Sequence, residues 1–153
     1  MAIEAHGYEV AWQIENDDYC NKILAKHWPE VTRYGDIRAA QFNEFERVDG
    51  IVGGFPCQPF SVAGRNRGED DERNMWPEVI RAIRALQPGF AFLENVPNLL
   101  NHLYFGRILG DLAEAGYDAE WGTFRASDVG APHRRERLFI LAYRDTGFGF
   151  LPY

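Results

Sequence analysis

Val48-Asp49-Gly50-Ile51-Val52-Gly53-Gly54 runs straight into Phe55-Pro56-Cys57-Gln58-Pro59-Phe60-Ser61. Val48 to Val52 is a short apolar run of the kind that forms a buried strand. The Gly53-Gly54 pair has no Cβ atoms to restrict it and predicts a turn that closes the strand. From Phe55 to Asn74 the chain carries Pro, Gly and mixed charge with no period, so it reads as a long loop. Loops of that length inside compact domains are usually functional or disordered. A strand, a glycine turn and then a cysteine is the arrangement in which an α/β sheet presents chemistry at its edge.

Working outward, the flanks alternate strand and helix. After the loop, Val79, Ile80, Ile83 and Leu86 recur at helical spacing and predict a helix over Met75 to Leu86, ended by Pro88-Gly89. Phe90 to Leu93 is short enough for a buried strand. A helix over Arg107 to Ala115, a strand over Asp118 to Phe124 and a last strand over Arg137 to Tyr143 follow. Before the opening stretch, Met1 to His6 reads as the tail of a helix stopped at Gly7. Then come a strand over Glu9 to Ile14, a helix from Asp17 to about His27, and a short strand over Val31 to Tyr34. This alternation predicts an α/β fold with a mostly parallel sheet, in one domain. Ligands of such sheets bind beyond the carboxyl ends of the strands, where Glu15, Cys57 and Glu94 fall.

The bulk properties narrow the classes further. The chain has 153 residues, 46% hydrophobic and 25% charged, which suits a globular domain with a real core. No run approaches the length needed to span a bilayer, and no signal-peptide pattern opens the chain. Two cysteines, Cys20 and Cys57, are too few for a disulfide scaffold, so a reduced, intracellular setting is the simpler reading. The net charge of -7 argues mildly against a protein that grips nucleic acid over its whole surface. That acidity is concentrated in the first third. From Trp121 to Arg144 the balance reverses, with five Arg against Asp128 and Glu136. A solvated charged face explains this pattern equally well.

Each candidate residue has a plain reading beside the chemical one. A cysteine inside a Gly/Pro turn can have its thiol pKa lowered by backbone amides and nearby cations, although a lone cysteine is more often a small buried hydrophobe. Cys20, within a helix, takes the buried reading. In Glu94-Asn95-Val96-Pro97, a carboxylate at the mouth of a strand can hold a raised pKa and donate a proton, or it can cap the next segment. Arg134-Arg135-Glu136-Arg137 can bind phosphate or stabilise charge on a ring carbonyl, or it can be an exposed basic turn. Glu15 can accept from ribose hydroxyls. Asp36 can accept from an adenine amine while Ile37 packs on the ring. Both acids are otherwise common surface residues.

Taken in order, Glu15, Gly35-Asp36-Ile37, Gly54-Phe55-Pro56-Cys57-Gln58-Pro59-Phe60-Ser61, Glu94-Asn95-Val96 and Arg135-Glu136-Arg137 resemble the DNA cytosine-5 methyltransferases. The similarity runs from Met1 to about Tyr143, and the Pro-Cys-Gln and Glu-Asn-Val segments stand 94 − 57 = 37 residues apart. The resemblance implies a Rossmann-like S-adenosylmethionine-dependent methyltransferase fold, mostly parallel with an antiparallel C-terminal strand. It implies methyl transfer from S-adenosylmethionine to carbon 5 of cytosine in DNA, on a base flipped out of the duplex. Cys57 would add to ring carbon 6, and Glu94 would hydrogen-bond ring nitrogen 3 and the exocyclic amine. Arg137 would contact the ring carbonyl with Arg135 nearby, while Asn95 would hold the local backbone. For the cofactor, Glu15 corresponds to the ribose-binding acid and Asp36 and Ile37 to the adenine contacts, with Pro56 and Met75 lining the pocket. The segment from Ser61 to Asn74 corresponds to a loop that closes over DNA. No residue set implies a metal.

The resemblance also sets expectations about what surrounds the chain. The family's first strand, which ends in a Phe-x-Gly-x-Gly-Gly loop, falls before Met1, so the fold is expected to be incomplete at that end. The target-recognition domain is expected beyond Tyr153. Double-stranded DNA is the implied partner, together with a complementing chain or a longer parent protein, in the cytoplasm of a bacterium or phage host. A non-catalytic binding module derived from the family and an RNA-modifying relative are the alternatives. Retention of Cys57, Glu94 and Arg137 together favours the enzyme.

Overall fold

A computed structural model describes residues 4–56 and 74–144. The chain falls into two compact units, Met1–Val48 and Asp49–Tyr153.

In the first unit, strand β1 (Trp12–Ile14) pairs in parallel with β2 (Thr32–Tyr34), and helix α1 (Asp18–His27) connects them. Helix α1 starts where Asp17 accepts a hydrogen bond from the Cys20 amide at 2.8 Å, which satisfies one of the amides that the first turn leaves without a helical partner. Phe45 packs this unit's aromatic cluster, stacked on Tyr34 at 3.9 Å and meeting Trp12 and Phe42 edge-on. The expected helix tail before Gly7 is a single 3-10 turn over Glu4–His6, after which Gly7 takes a φ of 86°. Two further 3-10 turns, Ile37–Ala39 and Phe42–Glu44, follow β2. Cys20 is exposed, contrary to its expected burial, because it lies in the first turn of a helix that buries none of its residues.

The second unit is a βαβ element extended by a hairpin. Its strands are β3 (Gly50–Gly54), β4 (Phe90–Asn95), β5 (Asp118–Arg125) and β6 (Glu136–Tyr143), in the spatial order β3-β4-β6-β5. β3 and β4 are parallel, and β6 is antiparallel to both β4 and β5. Strands β3, β4 and β5 therefore run one way and the C-terminal strand runs against them, as expected. Helix α2 (Trp76–Leu86) leads into β4 and α3 (Leu103–Glu114) leads into β5. Alternate residues of the central strands, Ala91, Leu93, Leu138, Ile140 and Ala142, meet Ile80, Ile83, Ile108 and Leu112 of the helices in one core. Trp76 and Tyr117 pin the layers through their polar ends. Trp76 Nε1 donates to Asp111 at 2.7 Å, and the Tyr117 hydroxyl donates to the Pro88 carbonyl at 2.6 Å.

Several boundaries differ from the sequence reading, β1 among them, which begins at Trp12 rather than Glu9. Gly53 and Gly54 continue β3 instead of turning, because both hold ladder positions opposite Leu93 and Glu94. β4 runs on through Glu94 and Asn95, so Glu94 lies within the strand rather than beyond it. Helix α3 begins four residues earlier than expected, at Leu103, capped by the His102 ring, whose Nδ1 accepts from the Tyr104 amide at 3.1 Å. Most of the long loop expected after Phe55, Cys57 and the closing segment from Ser61 included, lies outside the described residues.

Candidate active site

Strand polarity gathers the second unit's candidates at one edge. β3 and β4 end there, and the antiparallel β6 begins there, so Gly54, Glu94, Asn95 and Arg137 come to the same end of the sheet. Arg137 Nε donates to Glu94 Oε1 at 2.7 Å, with 27% and 36% of the two side chains exposed. Arg137 Nη1 also donates to the Glu136 carbonyl at 2.8 Å. The guanidinium is thus held from two sides, and the pair remains open enough for a polar ring to reach it.

Asn95 is only 2% exposed. Its Nδ2 donates to the Phe55 carbonyl at 3.1 Å and its Oδ1 accepts from the Val96 amide at 2.8 Å. One side chain therefore ties the end of β4 to the segment Phe55-Pro56, which runs on into Cys57. Phe55 itself is buried and packs on Trp76 at 5.5 Å, so that segment is anchored at both its backbone and its ring. Pro56 is exposed, and Met75, at the N-cap of α2, packs on the edge of the core.

Arg135 is not part of the Glu94 pair. Its carbonyl accepts from the Ala126 amide at 2.9 Å, which closes the β5–β6 turn, and among the described residues no ion pair joins it to Glu94. Arg125, with Nε 3.6 Å from Glu136, adds an exposed ion pair at the same turn.

The first unit brings its cofactor candidates together as well. Glu15 follows β1 and Asp36 follows β2, at the carboxyl ends of adjacent parallel strands, and the Glu15 amide extends the ladder to the Tyr34 carbonyl at 3.0 Å. Glu15 Oε1 accepts from the Asp17 amide at 2.9 Å, and the Asn21 side chain donates to the Glu15 carbonyl at 2.8 Å. Two half-buried carboxylates at neighbouring strand ends form a hydrogen-bond-accepting edge that suits the hydroxyls and amine of a nucleoside. Ile37 opens the 3-10 turn after Asp36. Asp36 is engaged in the chain itself: Arg38 donates to it through both its backbone amide and its guanidinium. The Arg38 side chain, above its amide, holds the Asp36 carboxyl below the usual carboxylate range.

Three contributors escaped the sequence reading. Arg38 follows Asp36 by two residues, a spacing that an Asx turn makes meaningful only once the turn is known. Asn21 reaches Glu15 across the first turn of α1. Gly54 is the third: the Gly53-Gly54 pair predicts a turn, whereas Gly54 is a strand residue opposite Glu94.

The chain has relatives among known proteins. The chain is 35% identical over 154 aligned positions to the Type II methyltransferase M.NgoMIV of Neisseria gonorrhoeae, covering 98% of this chain and 49% of that protein. It is 33% identical to the Type II methyltransferase M.HgiBI of Herpetosiphon aurantiacus, covering 100% of this chain and 37% of that one. The chain thus spans half or less of the length of these relatives. The crystal structure of a mutant DNMT2 from Spodoptera frugiperda superposes with a TM-score of 0.78 at 22% identity, over 99% of this chain and 48% of that one. That likeness shows that the chain shares the α/β fold of that protein. Residues 1–147 match the family of C-5 cytosine-specific DNA methylases, and the chain belongs to that family.

Proposed function

We propose that this chain carries the catalytic core of a DNA cytosine-5 methyltransferase, with Cys57 as nucleophile, duplex DNA as substrate and S-adenosylmethionine as methyl donor. The observation that carries this reading is the Glu94–Arg137 pair at the end of the sheet, beside the segment that Asn95 ties down and that continues into Cys57. A hydrogen-bonding acid and a fixed guanidinium side by side match the two polar edges of a pyrimidine.

Cytosine carbon 5 is a poor nucleophile, and inside a stacked duplex it is unreachable, so the base must swing out into the site. The Cys57 thiolate adds to carbon 6, forming a carbon–sulfur bond and pushing the ring electron pair toward carbon 5 and the nitrogen 3–carbonyl system. Glu94 hydrogen-bonds nitrogen 3 and the exocyclic amine, and Arg137 meets the carbonyl oxygen. Both act where negative charge develops, which is where a preorganised group lowers a barrier most. Before the base enters, Glu94 and Arg137 satisfy each other, so neither charge is left unpaired at an edge that must later dry out. S-adenosylmethionine, when bound, supplies a methyl group on a positively charged sulfur; Glu15, Asp36 and Ile37 would hold its nucleoside, and Pro56 and Met75 would contribute to binding it. Carbon 5, once it carries the methyl group in place of the donor sulfur, would give up its proton to a base, the electron pair would return to the ring, and the Cys57 thiolate would be expelled.

The test is transfer of a labelled methyl group to duplex DNA by the product of the whole open reading frame. Incorporation at cytosine carbon 5 is expected, with Glu94→Ala lowering the rate by about 10²–10³-fold, the usual cost of removing one such group. Label appearing in RNA and not in DNA would reassign the substrate, and an undiminished Glu94→Ala rate would remove Glu94 from the chemistry.

A further inference from the structure

Strand β3 contains three glycines, and what a side chain would meet differs at each. A Cβ at Gly50 would lie 2.1 Å from the Phe90 ring, so that glycine makes room for packing. A Cβ at Gly53 would meet no described atom within 4 Å. A Cβ at Gly54 would lie 2.9 Å from Glu94 Oε2, while the Glu94 backbone oxygen and Cβ stay at ordinary distances of 3.9 and 4.0 Å. Gly54 and Glu94 are register partners, so the two residues share one face of the sheet. Glu94 therefore lays one carboxylate oxygen over the bare Cα of Gly54 and gives the other to Arg137 Nε.

We propose that Gly54 is a positioning residue: the absence of its side chain sets the place of the Glu94 carboxylate against Arg137, and hence the geometry in which Glu94 meets the cytosine ring. The role in the reaction rests on the function proposed above, whereas the placement itself does not. The atom a Cβ would strike is the far end of a flexible side chain, not backbone. Alanine at 54 can thus be accommodated by rotating Glu94 away, at little cost to the fold and at the expense of its pairing with Arg137. No backbone strain enters, since Gly54 is an ordinary strand residue outside the left-handed region. Gly53, its neighbour in the same strand, supplies a matched control.

The experiment compares Gly54→Ala with Gly53→Ala in two measurements. In the first, the Arg137 Nε–H signal is followed by nitrogen-15 NMR of this chain and assigned by its loss in Arg137→Lys. In Gly54→Ala it is expected to move toward the position of an unpaired arginine, and in Gly53→Ala to stay. A signal unmoved by Gly54→Ala overturns the placement. In the second, adduct formation with a duplex carrying 5-fluorocytosine is timed for the product of the whole open reading frame. Gly54→Ala is expected to slow it about tenfold, and Gly53→Ala less than twofold. A moved signal with an unchanged adduct rate overturns the role in the reaction while leaving the placement intact. If even the unsubstituted protein forms no adduct, the function proposed above fails and the positioning role fails with it, whatever the NMR shows.

Discussion

Asn95 is the buried polar residue of the described core, and its amide is used at both ends. Removing it strands the Phe55 carbonyl and the Val96 amide, and an unsatisfied buried group costs about 1–3 kcal/mol. Asn95→Ala is therefore expected to lower the urea midpoint by a corresponding amount with an unchanged m-value. A loss below about 0.5 kcal/mol, the scatter of surface substitutions, would mean that Asn95 does not hold the Phe55-Pro56 segment. At this scale the sequence names residues well and their relations poorly. Glu94, Asn95 and Arg137 were legible because the chain order of their motifs resembles one family. Their pairing was not, because it depends on β6 running antiparallel beside β4, a long-range fact that no local pattern carries. Gly54 was misread for a related reason: a Gly-Gly pair permits a turn, but here β4 supplies ladder partners that keep the strand going.

At the scale of elements, α2 was the easiest to read. Its apolar residues recur at helical spacing, and its end at Gln87, in the left-handed conformation with φ 51°, falls just before Pro88. The start of α3 was harder, since Leu103 is 96% exposed and contributes no buried stripe, and its cap is a histidine ring rather than a hydroxyl or carboxylate. Tyr117 links these helices to the sheet: it sits just after α3 and its hydroxyl donates to the Pro88 carbonyl. Burial pushes its hydroxyl pKa above the ordinary tyrosine value, with nearby Arg144 opposing in part. A group raised in this way contributes stability that is complete below its unfolded value of about 10 and is lost as pH climbs through the higher folded value. Tyr117→Phe should therefore cost about 1 kcal/mol at neutral pH for the lost hydrogen bond. It should also flatten the fall in stability above about pH 10 relative to the unsubstituted chain. Thermal unfolding from pH 7 to 11 checks both (a range set by the tyrosine value of about 10), and parallel curves for the two proteins would show that Tyr117 ionisation is not what the alkaline limb reports.

For the whole molecule, the proposed chemistry is divided between two compact units. One carries the paired acids at the ends of β1 and β2, and the other carries Glu94, Asn95, Arg137 and the approach to Cys57. The α/β class and the reversed last strand could be anticipated from the sequence, the first from strand–helix alternation and the second from family resemblance. Among the described residues no helix is long and apolar enough to cross a membrane, and no cluster of residues has metal-binding composition. The central claim is that these units serve a covalent reaction of Cys57 with cytosine, and one measurement addresses it directly. The product of the whole open reading frame is incubated with S-adenosylmethionine and a 5-fluorocytosine duplex, whose fluorine cannot leave as a proton does, so the enzyme stays attached. A denaturation-resistant adduct that maps to Cys57 and is absent in Cys57→Ser is the predicted result. No adduct in the unsubstituted protein, or the same adduct in Cys57→Ser, would contradict the account.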